Sequence, residues 1–138
     1  MAEARTLVAG TAEGPALVLD EPLSLWGGLD PETGNITDTR HPQRGANVTG
    51  RVLVLPSGRG SSSSSSVLAE AIRAGTAPAA IVLGEADPIL PLGVIVAREL
   101  YGSSLPIVVV PDAPFRSGEI LKVRASERGA DVGRWQRL

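Results

Sequence analysis

Arg51-Val52-Leu53-Val54-Leu55-Pro56 runs directly into Ser57-Gly58-Arg59-Gly60 and then into six serines, Ser61 to Ser66, before the chain turns apolar again at Val67. An apolar run this short and this continuous reads as a strand buried on both faces. The glycines mark a turn, and Val67, Leu68, Ala71 and Ile72 recur at helical spacing up to Ala74-Gly75, where glycine ends the helix. The corner is therefore strand, glycine turn and helix, with hydroxyls in the first helical turn. Backbone N–H groups at a helix start lack intrahelical partners and carry partial positive charge. A serine placed there sits beside a ready anion site, which makes this corner the best candidate for chemistry.

The pattern continues downstream. Residues 78–83 read as a second buried strand, and residues 89–100 as a helix that starts near Leu92 because Pro91 suits a first helical turn. Residues 106–110 read as a third strand, and residues 119–125 alternate as a fourth. Strand, helix, strand, helix, strand is the pattern of parallel crossover units. Upstream, residues 16–20 form a short strand belonging to a β-rich N-terminal half. Residues 21–50, rich in Gly, Pro, Asp, Asn and Thr, show almost no apolar period. Such a stretch inside a compact domain is usually functional, so it is the second place to look. The expected fold is α/β in layers, one domain over residues 1–138. Its polar tail, about residues 126–138, holds Arg128, Arg134 and Arg137 around Trp135 and is either frayed or docked on a partner.

Composition narrows the function classes. With 43% apolar residues and only Trp26, Trp135, Tyr101 and Phe115 as aromatics, the core must be built from Val, Ile, Leu and Ala. A net charge of -2 offers no basic face with interleaved aromatics, which argues against nucleic acid as a partner. Without cysteine the chain has no disulfide framework and no thiolate ligand for a metal or an iron–sulfur cluster. No segment approaches membrane-span length and no leader pattern opens the chain, so a soluble, cytoplasmic protein without a membrane partner is expected.

Familiar motifs fit the corner poorly. The third glycine of a dinucleotide fingerprint is missing after Gly58 and Gly60, and no P-loop lysine follows. A nucleophile elbow is absent, and the single histidine, His41, is followed by proline in a loop, where it reads as structural. Taken alone, the serines could simply cap the helix and fill a polar turn.

A longer ordered pattern surrounds them. Gly10-Thr11-Ala12-Glu13-Gly14-Pro15-Ala16 is followed by Glu21-Pro22-Leu23-Ser24-Leu25-Trp26-Gly27-Gly28-Leu29-Asp30-Pro31-Glu32-Thr33-Gly34, then by His41-Pro42 and Gly45. The order continues through Gly50 to Ser62, Ala77-Pro78-Ala79-Ala80-Ile81-Val82, Glu85-Ala86-Asp87-Pro88-Ile89 and Gly93. From about Gly10 to Pro111 the chain resembles the small subunit, or swivel domain, of the aconitase X family.

That resemblance implies a layered, swivelling β/β/α domain that closes the active site of a hydro-lyase. It implies a separate large catalytic subunit as partner, holding an iron–sulfur cluster whose iron acts on the substrate hydroxyl, with no metal bound by this chain. It implies a small hydroxy acid as substrate, either cis-3-hydroxy-L-proline, which is favoured, or (R)-5-phosphomevalonate. The family's serine follows the Gly-x-Gly turn directly, which is Ser61 here, and its implied role is general base. Ser62, one residue on, is the alternative register. Arg59 either clamps a substrate carboxylate or covers the loop in solvent, and Gly60 belongs to the same turn. Gly27, Gly28, Asp30 and Gly34 shape a tight loop beside the serine corner, with Asp30 read as a turn-forming Asx before Pro31 rather than a proton-transfer group. Trp26 either stacks at the subunit interface or joins the core. Glu85 and Asp87 lie just past a strand end, where α/β sheets place ligands, although Asp87-Pro88 is also an ordinary helix lead-in.

Overall fold

The structure is a computed structural model and describes residues 2–134. Its elements in chain order are β1 (Ala2–Val8), β2 (Gly10–Val18), a broken helical turn α1 (Leu25–Gly28), β3 (Val52–Leu55), α2 (Ser64–Ala74), β4 (Ala80–Leu83), α3 (Ile89–Tyr101), β5 (Ile107–Val109), β6 (Ile120–Ser126) and β7 (Gly129–Arg134). The seven strands close in the order β1-β5-β4-β3-β2-β6-β7. β2, β3, β4 and β5 are parallel neighbours, as the crossover pattern requires, and β1, β6 and β7 complete the ring in antiparallel.

The continuous apolar runs are explained by two cores. Leu53, Leu55, Ile81, Leu83 and Ile107 face α2 and α3, where Leu68, Ala71, Leu90 and Val94 meet them. Val52, Val54, Ala80, Val82 and Val108 face the barrel interior with Leu121, Val123 and Val132. Alternate residues of one strand thus enter different cores, the larger ones under the helices and the smaller ones inside the ring. The result is a helix layer on a parallel sheet that is closed on its other face by antiparallel strands.

Several expectations change. β1 was not foreseen, and the strand expected at residues 16–20 is the end of β2, which begins at Gly10. Most of β2 is half-wet, with small and polar residues alternating, so its apolar signal is weak. The tail is not frayed over residues 129–134: it is β7, which pairs β6 and also β1 and so closes the barrel. Trp135 and Arg137 lie outside the described residues. α3 starts at Ile89, three residues before Leu92, with Pro91 inside the first turn, where a missing N–H costs no helical hydrogen bond.

Residues 21–50 have little regular structure yet are firmly packed. Leu23, Leu25, Leu29, Ile36 and Val48 are buried in the helix-side core. His41 is buried too, its Nδ1 accepting the Gln43 N–H at 3.0 Å, which leaves Nε2 to donate to the Glu21 carbonyl at 3.1 Å. It ties loop to loop. Among the described residues no helix is long and apolar enough to cross a membrane.

Candidate active site

The serine corner leaves the C-terminal end of β3, the edge of a parallel sheet where ligands are ordinarily bound. The turn is held on one side by Leu23, whose N–H donates to the Ser57 carbonyl at 3.3 Å and whose carbonyl accepts the Arg59 N–H at 3.2 Å. Asp87 holds the other side. Its Oδ1 accepts the N–H groups of Ile89 at 2.7 Å and Leu90 at 3.4 Å, at the start of α3, and its Oδ2 lies where a Cβ on Gly58 would stand. A side chain on Gly58 would therefore have to displace the Asp87 carboxylate.

Ser61 is half-buried, whereas Arg59, Gly60 and Ser62 are exposed. Ser61 Oγ accepts the Ser63 N–H at 3.3 Å, and its carbonyl accepts the Ser64 N–H at 2.9 Å. Among the described residues the N–H groups of Gly60, Ser61 and Ser62 have no protein partner. These three donors lie in the turn that leads into the eleven-residue helix α2, whose own first N–H groups, of Ser64, Ser65 and Ser66, are taken by the carbonyls of Ser61, Ser62 and Ser63. The helix begins at Ser64 without a side-chain cap from Ser63, and it is Ser61 whose hydroxyl and carbonyl hold the Ser63 and Ser64 N–H groups.

Ser64 is the member of the run that the sequence pattern does not single out. It is buried and its Oγ accepts the Trp26 N–H at 3.2 Å, joining α1 to the start of α2. Helical phase was the available signal, since Ser64 stands four residues before Leu68 and seven before Ala71 on the buried face. This bond brings Gly28, two residues beyond Trp26, into the neighbourhood of the serines. Gly28 itself is buried, and a Cβ there would come within 2.9 Å of Leu23 Cδ1. Asp30 and Gly34 do not stand beside the serines as expected: Asp30 Oδ1 accepts the Glu32 N–H at 2.9 Å and its carbonyl the Gly34 N–H at 2.8 Å. Their loop packs on Thr76, past the opposite end of α2, and Thr76 Oγ1 donates to the Pro31 carbonyl at 2.7 Å. Trp26 is exposed, not in the core.

Next to the corner, at the mouth of the barrel, lies a cleft of about 320 Å³ lined by Leu19, Leu55, Pro56, Glu85, Val110 and Asp112 among others. Asp112 holds a left-handed backbone (φ 49°), the one non-glycine to do so among the described residues. Sequence patterning pointed to Glu85 but not to Asp112, which follows β5 in a region without period.

The chain has no cysteine, and among the described residues no group of three or more His, Asp or Glu could hold a metal ion. Its residues do not fit an iron–sulfur cluster.

A family model of the aconitase X swivel domain matches residues 1–132. The chain belongs to the aconitase X swivel domain family. Over 103 residues it is 55% identical to a cis-3-hydroxy-L-proline dehydratase of Pseudomonas aeruginosa, a match covering 75% of this chain and 18% of that protein. It is 39% identical to the phosphomevalonate dehydratase small subunit of Thermococcus onnurineus, covering 93% of this chain and 95% of that one. The crystal structure of Thermococcus kodakaraensis aconitase X in its holo-form superposes with a TM-score of 0.84 at 35% identity, covering 95% of this chain and 96% of that chain. This swivel domain spans about a fifth of the length of the cis-3-hydroxy-L-proline dehydratases it matches.

Proposed function

We propose that this chain, acting as one swivelling domain over residues 1–138 in the cytoplasm, is the small subunit of an aconitase X type hydro-lyase that dehydrates cis-3-hydroxy-L-proline. In this proposal a large subunit carries the iron–sulfur cluster and most of the substrate pocket, and the present chain closes over it with Ser61 as general base. The observation that carries the proposal is the half-buried hydroxyl of Ser61 at the sheet's ligand-binding edge, in a turn whose Gly60, Ser61 and Ser62 N–H groups have no partner among the described residues. The 55% identity to a cis-3-hydroxy-L-proline dehydratase supports the choice of substrate.

A serine hydroxyl is a weak base at neutral pH, so its alkoxide needs local stabilisation. The Ser63 N–H already reaches Oγ at 3.3 Å, and the start of α2 adds its dipole. Closure against the large subunit excludes water, which strengthens both effects. With Ser61 as the alkoxide, the proton on the carbon next to the carboxylate passes to Oγ and regenerates the hydroxyl, hydroxide leaves from the neighbouring carbon to the large-subunit side of the pocket, and a carbon–carbon double bond forms. In this proposal Arg59, exposed on the same turn, takes the substrate carboxylate in a bidentate pair. Gly60 and Ser62 add main-chain donors, and Gly28 supports the adjoining loop.

A second substrate has its own support, because the phosphomevalonate dehydratase small subunit of Thermococcus onnurineus matches this chain almost end to end. The test reconstitutes the two-subunit enzyme and offers both hydroxy acids. Ser61→Ala should lower kcat for cis-3-hydroxy-L-proline by about 10²- to 10⁴-fold with assembly intact, and Ser62→Ala should leave it near wild type. Full turnover by the Ser61→Ala enzyme would leave a non-catalytic scaffold, and turnover of (R)-5-phosphomevalonate alone would reassign the substrate.

A further inference from the structure

We propose that the outer face of α3 is the surface on which the large subunit docks, an inference that rests on the two-subunit function above. A helix lying on a sheet normally turns one apolar stripe inward and polar residues outward. α3 departs from this. Its inner face buries Leu90, Val94 and Ala97, yet Leu92, Ile95, Val96 and Leu100 also lie outward, Leu92 55% and Leu100 67% exposed. Leu92, Val96 and Leu100 stand four residues apart and so form a single ridge. The neighbouring α2 obeys the ordinary rule, with exposed Ser66 and the Arg73–Glu70 ion pair on its surface. The apolar exterior thus belongs to α3 and not to the helix layer in general. An apolar ridge of this length on the outside of a helix is ordinarily covered by a partner.

The ridge starts at the serine corner. α2 and α3 follow parallel neighbouring strands and run side by side, so close that a Cβ on Gly93 would come within 2.5 Å of the Ser65 carbonyl oxygen. Asp87 fixes the first turn of α3 against Gly58 of the serine turn. Trp26, 61% exposed, is held at the same corner by Ser64.

The large subunit is the occupant these positions fit. The cis-3-hydroxy-L-proline dehydratases contain this domain as only 18 to 19% of their length, so a far larger body accompanies it there. A body that brings substrate to Ser61 must approach the edge where the ridge begins. An apolar ridge leading away from that edge supplies contact area, and Arg98 and Glu99, the exposed charged residues of α3, stand beside its far end.

The test titrates the full-length chain with its cognate large subunit by calorimetry and follows self-association by ultracentrifugation. Leu92→Glu combined with Leu100→Glu should weaken large-subunit binding about 100-fold with an unchanged circular dichroism spectrum. Leu100→Gln alone, at the most exposed of these positions, should weaken it about tenfold in case the double variant does not fold. Ile120→Glu, at an exposed apolar position of β6 on the antiparallel side, should bind like wild type. Wild-type affinity in both α3 variants would overturn the docking face and leave the two-subunit function standing. Failure of the wild-type chain to bind would overturn that function and this inference together. Self-association abolished by the α3 variants, with large-subunit affinity unchanged, would assign the ridge to a second copy of this chain instead.

Discussion

The N–H of Trp26 donates to the Oγ of Ser64 at 3.2 Å, across 38 residues of sequence, and this bond locks the loop of residues 21–50 to the start of the serine helix. Gly27 at φ 76° and Trp26 at ψ 112° break the short turn α1 just where the bond is made. The geometry of the candidate site therefore depends on a serine that points away from it.

Ser64→Ala should destabilise the chain by about 1 kcal/mol, because it leaves the Trp26 N–H without a partner at a partly buried position. Ser66→Ala, on the exposed side of the same run, should stay within about 0.5 kcal/mol of wild type. Urea denaturation of the isolated chain checks both. Equal effects would mean that the serines are interchangeable.

Gly58 and Asp87 should be energetically coupled. Gly58→Ala drives a methyl group into the Asp87 carboxylate, and Asp87→Ala removes acceptors from the first N–H groups of α3 at a cost of about 1 kcal/mol. Because the second change also relieves the first, the double variant should be less destabilised than the two single effects added together. A double-mutant cycle by thermal unfolding gives the coupling energy, and strict additivity would contradict the packing described here.

Truncation after residue 128 removes β7, and with it the partner strand of both β6 and β1 and the buried Val132. The barrel then has two open edges, which invite association. Loss of a cooperative unfolding transition and aggregation in light scattering are expected. A truncated chain with wild-type melting behaviour would show that the tail is dispensable.

The acid side of the stability profile should respond to Glu119. Its carboxylate accepts the Arg116 N–H at 2.6 Å and pairs with Arg134, and these, in that order, hold it below the ordinary range near 4.5. A lowered folded value means that the contribution is fully present above the ordinary carboxylate range and is lost as pH falls through the depressed value. Melting temperatures of wild type and Glu119→Gln should therefore converge as the pH is lowered and separate at neutral pH. Because the pair is exposed, added salt should shrink the separation.

The local patterns were legible wherever one element's own period carried the signal. Val52–Leu55, Ala80–Leu83 and the helix after the serines follow from runs of apolar residues bounded by glycine and proline. β2 and β7 were harder because their faces alternate between the barrel and water and they contain Gly, Thr, Asp and Pro, which look like loop. The buried leucines of residues 21–50 have no period at all, since they fill gaps under α2 and α3 without sharing a helix or strand face. In the candidate site, Ser61, Arg59 and Gly60 could be found from their neighbours in sequence. Asp112 and Ser64 required knowledge of what faces them.

By itself the sequence determined the parallel strand and helix alternation and the glycine turn that delivers six serines to a helix start, because adjacent residues and short periods specify both. Only the tertiary structure decided how the barrel closes, through β1 pairing with both β5 and β7. It alone decided which serine turns inward to hold Trp26 and which carboxylate stands against Gly58. These relations join residues far apart in the chain, and their partners are fixed by the packing of two cores rather than by any local preference.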